Sequence, residues 1–414
     1  MATPVEAQGS CDVDPNRSTA PPLLVVIELR HIMTQFNLKM IFFDHRLTQI
    51  RHIWQLCDPV GARCGQTTHR RRGSIPMDDG LAILRARSAI WGRDPTLVQG
   101  AGGNVSLKID DTLWIKASGT WLADADRQDI LVPVALPLAD PPRVKDGHRT
   151  ALRPSIETSL HAALPHRVVV HVHSVDAIAH AVRSDAPAIL TQLLSGLSWA
   201  LVPYRKPGLE LAAAVRDAYV ATKAEIFVLA NHGIVIGADD VDMAEALLRE
   251  VVSRLEIAPR AVVQPSAKPH NVSVPGYRAV TDLRVAALAI DPASLAVALA
   301  GPLYPDHVVF LGAAPLVVGA YDEIAPALSR AQRGGHPAVR WIIVRDNAVL
   351  IADDALRGSE EMLRCLGDVA ARLAPGTPLA PLATADIDAL IDWDAERYRQ
   401  AMATPAVATP TCAV

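Results

Sequence analysis

The chain is poor in cysteine, has no long apolar run and carries no excess of one charge. Its five cysteines, Cys11, Cys57, Cys64, Cys365 and Cys412, are odd in number and scattered. That pattern excludes the disulfide framework of a small secreted domain and fits a reducing, cytoplasmic setting. Cys57 and Cys64, with His69 nearby, are too widely spaced for half of a zinc knuckle, and no second pair follows. No apolar stretch reaches the roughly 18 residues that a membrane-spanning helix needs, and the N-terminus lacks a charged-then-apolar secretory pattern. A formal net charge of −4 creates no field for a polyanion, so neither nucleic acid nor a membrane is an expected partner.

What is present is length and pattern. At 414 residues there is room for two or three domains and a large core. Residues 1–76 are Pro/Ser/Gln-bearing and then His- and Arg-rich, and read as a disordered leader or a gene-model extension, with the natural start at Met77. A basic presequence is the competing reading, weakened by Asp12, Asp14 and Glu28. From 77 to 260, helical patterns (Leu81–Trp91, Ile156–Leu164, Val175–Val182, Leu209–Ala221, Val241–Leu255) alternate with short apolar strands (Leu113–Lys116, Val168–His173, Ile226–Leu229). This predicts a three-layer α/β/α domain around a covered sheet. Residues 261–273 read as a linker, 274–405 as a smaller C-terminal α/β domain and 406–414 as a tail. In the C-terminal part Val308–Leu311 reads as a strand, Trp341–Val344 and Ala348–Ile351 as a hairpin, and Leu356–Leu373 as a long helix.

The chemistry concentrates in a few places. In Val168-Val169-Val170-His171-Val172-His173, a strand directs residues two apart to one face, so both imidazoles can share an ion. Asn231-His232-Gly233 offers a third ligand at another strand end, with the glycine expected to let the chain turn. Three imidazoles suit zinc with a position left for substrate, and a carboxylate can hold that position until displaced. Pro154-Ser155-Ile156-Glu157 puts Ser155 where a helix N-cap belongs and Glu157 in the first turn. His161, one turn on, and His180 read as structural. Gly100-Ala101-Gly102-Gly103-Asn104 and Lys116-Ala117-Ser118-Gly119-Thr120 are small-residue loops that could form one anion pocket; neither is a nucleotide fingerprint.

Gly103-Asn104-Val105-Ser106, Ser118-Gly119, Pro154-Ser155-x-Glu157 with His161, His171-x-His173 and Asn231-His232-Gly233 occur in the order and at the separations of the class II aldolase/adducin family, which residues 78–258 resemble. The C-terminal part, with Pro305-Asp306-His307 and His336-Pro337, resembles the second half of the aldolase portion of bacterial rhamnose-utilisation aldolase/dehydrogenase proteins, without the dehydrogenase. The resemblance implies that His171, His173 and His232 bind Zn²⁺, with Mn²⁺ as the alternative. It implies that Glu157 coordinates the metal at rest and then acts as acid/base, and that Gly103, Asn104, Ser118, Gly119 and Ser155 hold a phosphate. The implied function is a zinc-dependent lyase that acts on a small ketose phosphate or sugar acid through a metal-bound enediolate, in a homo-oligomer. A decarboxylase, epimerase or dehydratase, or a non-catalytic adducin-like module, are the alternatives. Two departures stand out. Ile156 replaces a phosphate-binding serine of the fuculose-phosphate enzymes, and the proton-donating tyrosine of those enzymes falls near Gln192, with Tyr204 too far along to replace it.

Overall fold

The structure, a computed structural model, describes residues 77–263, 274–334, 338–391 and 393–403. The readings of residues 1–76, of Cys57 with Cys64 and His69, of most of the linker, of His336-Pro337 and of the 406–414 tail fall outside these residues.

The first part runs α1 (Met77–Arg93), β1 (Asn104–Ile109), β2 (Thr112–Lys116), β3 (Leu131–Ala135), α2 (Thr158–Ala163), β4 (Val168–Val172), α3 (Val175–Ala181), α4 (Ala186–Leu193), β5 (Trp199–Val202), α5 (Leu209–Thr222), β6 (Ile226–Leu229), β7 (Gly233–Ala238) and α6 (Val241–Leu255). The seven strands form one sheet in the order β3-β2-β1-β4-β7-β6-β5. Only β5 and β6 are parallel neighbours; the other pairings are antiparallel. Period-2 alternation divides the core. Val168, Val170 and Val172 face α1, α3, α4 and α6, while Val169, Phe227 and Val235 face Leu160 and Leu164 at α2 and Leu211 and Val215 of α5. Both faces of the central strands are therefore covered, as the apolar runs imply. Local signals fix the helix starts: Ser174 accepts from Ala177 N ahead of α3, and Asp240 from Met243 N ahead of α6.

The C-terminal part adds β8 (Tyr277–Ala279), α7 (Leu283–Ile290), α8 (Pro292–Leu299), α9 (Pro305–Leu311), β9 (Leu316–Val318), α10 (Ile324–Arg333), β10 (Trp341–Val344), β11 (Ala348–Ala352), α11 (Ser359–Arg372), α12 (Thr384–Ile391) and α13 (Asp394–Ala403). Its four strands form a second sheet, β8-β11-β10-β9, which contains the expected β10–β11 hairpin. The expected strand at Val308–Leu311 is instead the end of helix α9. Pro305 stands at its first turn, and the helix is buried all round: Val309, Phe310 and Leu311 pack into the core with β10, β11 and α11, and Val308 packs against Leu382 and Leu390. A helix buried on every side shows no polar stripe, so its sequence cannot be told from a buried strand. Val175, Ile178 and Val182, at and beside α3, share one core with Leu366, Val369 and Leu373 at α11, which joins the two parts through apolar packing.

Candidate metal and anion site

Strand β4 sits between β1 and β7, and its C-terminal end carries the imidazoles. His171 pairs across the ladders with Asn104 and Val235. His173 lies just past the strand, with its Nε2 3.0 Å from His171 Nε2. The third imidazole, His232, is in the Leu229–Gly233 turn between β6 and β7. One ligand atom from each of the three rings falls within 4.8 Å of the others, and all three residues are buried. His171 Nδ1 donates to Ile234 O at 2.9 Å, which turns its Nε2 towards the cluster. The turn achieves its left-handed residue at Asn231 (φ +55), not at Gly233. Gly233 is needed for a different reason from the one expected, because a Cβ there would lie 2.4 Å from Val172 O.

Glu157 completes the cluster, with Oε2 3.4 Å from His171 Nε2 and Oε1 3.7 Å from His232 Nε2. It is itself the N-cap residue of α2; Ser155 sits two positions earlier, and its Oγ accepts from Glu157 N at 3.2 Å. Burial pushes the Glu157 carboxyl up, a proton shared with His171 or His232 and the Asn104 amide bring it down, and the balance lies below the usual carboxylate range. Asn104 Nδ2 donates to Glu157 Oε2 at 2.7 Å, and Asn104 Oδ1 faces His161 Nε2. Ser106 Oγ lies 2.8 Å from His161 Nδ1, so a ring with its proton on Nε2 links Ser106 to Asn104 and thence to Glu157. His161 is therefore a structural support of the carboxylate. His180 bonds Leu255 O at 3.1 Å and is structural too.

The donor set fits a divalent cation. Glu157 Oε1 is buried without a hydrogen-bond partner among the described residues, a costly condition that a cation relieves. Burial lowers the pKa values of His171 and His232, the latter to about 3, and so keeps these rings neutral, as ligation requires.

Gly103, Asn104, Ser118 and Gly119 meet Ser155, Glu157, His173 and His232 around one pocket, so the two small-residue loops and the metal cluster do converge. Gly103 has φ +61 and its missing Cβ would lie 2.9 Å from His171 O; Gly119 has φ +77 and faces Met402 of α13. Ile156 lines the same pocket. Neither Gln192, near which the tyrosine position of the fuculose-phosphate enzymes falls, nor Tyr204 lines this pocket: Gln192 is exposed on α4, and Tyr204 packs against the cluster of Val308, Leu382 and Leu390.

Three charged pocket residues were not assigned from the sequence. Lys116 is 2% exposed and donates to Ala101 O at 3.0 Å; burial and then the charge of Arg399 bring its ammonium down to about 7. Asp306 of α9 and Arg399 of α13 reach in from the C-terminal part. Periodicity gave no signal for either, since one sits on the misread helix and the other follows the last helix expected.

The buried neutral histidines predict acid sensitivity. His161, at about 3, and His307, at about 4, are held down by burial. Their folded pKa values lie below the unfolded one, so the unfolded chain binds more protons and stability falls as pH drops through 6.5 towards 4. The urea midpoint should be lower at pH 5 than at pH 7, reflecting a loss of about 1 to 2 kcal/mol of unfolding free energy per histidine. An equal or higher midpoint at pH 5 contradicts the assignment.

Residues 85–258 match the model of the Class II Aldolase and Adducin N-terminal domain. The uncharacterized oxidoreductase YuxG of Bacillus subtilis (strain 168) is 27% identical over 210 residues, 45% of this chain; the match spans only 28% of that relative's length. Among solved structures, the N-terminal class II aldolase domain of a conserved protein from Thermoplasma acidophilum is 25% identical (TM-score 0.37), covering 45% of this chain and 97% of that one. The L-fuculose-1-phosphate aldolase of Thermus thermophilus is 19% identical (TM-score 0.31), covering 42% and 91%. Among the described residues no helix is long and apolar enough to cross a membrane. Residues 85–258 are thus similar to the Class II Aldolase and Adducin N-terminal domain, and the three imidazoles and Glu157 all lie within that stretch.

Proposed function

We propose that the pocket catalyses aldol-type cleavage of a carbon–carbon bond in a small anionic ketose phosphate or sugar acid, with zinc, or manganese in its place, held by His171, His173 and His232. The observation that carries this reading is the buried cluster of three imidazoles with the Glu157 carboxylate beside it, of which Glu157, His173 and His232 line the pocket. When bound, such a cation supplies a Lewis acid that polarises a carbonyl and its neighbouring hydroxyl. Glu157 accepts the hydroxyl proton of the substrate as the bond breaks and an aldehyde forms, then returns it to carbon as the enediolate of the other fragment is protonated. Asn104 holds that carboxylate in place throughout. Ser118, Lys116 and the guanidinium of Arg399 face the anionic end of the substrate. A homo-oligomer is part of this reading.

Decarboxylation is the second reading. The apolar Ile156 at the position of a phosphate-binding hydroxyl and the absence of a tyrosine among the described residues of the pocket favour it. A non-catalytic adducin-like module would have no use for a full ligand set, and all four ligands are present here.

The zinc-loaded chain is expected to release dihydroxyacetone phosphate from one or more deoxy-ketose phosphates, read by a coupled assay. Silence on all of them, with carbon dioxide released from a 3-oxo acid, would replace aldol cleavage by decarboxylation. Purified protein that takes up no divalent metal and is silent in both assays leaves the non-catalytic module.

A further inference from the structure

The C-terminal part contributes a charged chain to the back of the metal cluster. Asp306, 3% exposed on α9, places Oδ2 3.1 Å from His173 Nδ1, the ring nitrogen that faces away from the cluster. Its other oxygen, Oδ1, accepts from Arg399 Nη1 of α13 at 2.6 Å. Oδ2 makes no hydrogen bond among the described residues, and the imidazole 3.1 Å away is the group placed to supply one. Burial alone would raise the Asp306 carboxyl; Arg399 and then His173 hold it well below the usual range. A buried carboxylate with no partner would be strongly destabilising, and α9 places this one against the Arg399 guanidinium on one side and the His173 ring on the other.

Gly102 gives an independent sign that this contact is built. A Cβ at that position would lie 2.9 Å from His173 Nδ1 and 3.0 Å from Asp306 Oδ2, so the glycine-rich loop leaves room for this pair. Helix α13 is secured by further contacts. Arg153 stacks on Tyr398 at 4.3 Å, Gln400 Nε2 donates to Val309 O at 3.2 Å, and Met402 packs over the missing Cβ of Gly119.

We propose that Asp306 is a positioning residue for His173, with Arg399 holding Asp306 in turn, so that the metal site of residues 85–258 is completed by the C-terminal part of the same chain. A carboxylate on the outer nitrogen of a ligating histidine fixes its tautomer and orientation and raises its basicity. The inference rests on the metal-binding reading above.

The test uses the full chain and zinc competition against a chromophoric chelator, with the visible spectrum of the Co²⁺-substituted protein beside it. Asp306→Ala is expected to weaken zinc affinity by about 10- to 100-fold and to shift the Co²⁺ bands. A purely structural Asp306 would lower the melting temperature and leave affinity and bands at wild-type values, and that result overturns the proposal. If Asp306→Ala does not fold, Asp306→Asn decides in the same way: weaker zinc binding and a shifted spectrum support the role, and wild-type values for both overturn it. Wild-type protein that takes up no divalent metal takes down the functional reading and this inference together. Wild-type uptake beside an unaffected Asp306 variant removes this inference alone.

Discussion

His171→Ala is expected to purify without stoichiometric divalent metal and to turn over no substrate. His171 is fully buried, its Nδ1 is committed to Ile234 O, and its Nε2 lies within 3.4 Å of both His173 Nε2 and Glu157 Oε2, the densest point of the cluster. Alanine removes one of three imidazoles and leaves a cavity beside Glu157. The fall in zinc affinity should exceed the roughly 10- to 100-fold typical of losing an outer partner, because a direct ligand is removed. Elemental analysis after dialysis, followed by chelator competition, measures it. Wild-type metal content in the variant would show that these three rings are not the site.

Glu157→Gln should separate binding from chemistry. The amide has the shape of the carboxylate, so its oxygen can still accept from Asn104 Nδ2, and the three imidazoles are untouched. What is lost is the ability to take a proton. Turnover should drop by about 10²- to 10⁴-fold, the usual contribution of a positioned acid/base, while metal content stays near wild type. With the amide oxygen accepting from Asn104, the amide nitrogen takes the place of Oε1 beside His232 Nε2 and cannot ligate a cation, so some loss of affinity is compatible with the role. Turnover within a few-fold of wild type would remove Glu157 from the mechanism. The two variants together distinguish a ligand from a proton carrier.

The site could be read from the sequence where local periodicity carries it. His171 and His173 are two apart in a valine run, and one face of one strand follows from that spacing. Ile226–Leu229 and Val241–Leu255 coincide with their observed bounds for the same reason: a short apolar run beside a turn in one case, a capped amphipathic helix in the other. Strand β7 was not separated from the Asn-His-Gly motif, because all six of its residues are buried and it shows no alternation. Gly233 was taken for a turn residue when its constraint is the neighbouring strand's carbonyl, a contact that exists only once β4 and β7 are paired. Asp306 and Arg399 were invisible on similar grounds. Their roles arise from tertiary contacts between distant segments, and the helix that carries Asp306 is buried on all sides, so its pattern imitates a strand.

The same kind of contact governs how the pocket can open. Asn231, adjacent to His232, donates from Nδ2 to Leu303 O at 3.0 Å and to Ala380 O at 2.7 Å, two carbonyls of the C-terminal part. An asparagine tolerates the left-handed backbone of this turn and still has an amide to spare for distant acceptors. The His232 loop is thus anchored from outside the domain that carries it, and it cannot fray on its own as a surface hairpin does. Opening it requires release of the chain around Leu303 and Ala380, which ties the position of His232 to the cooperative opening of the C-terminal half.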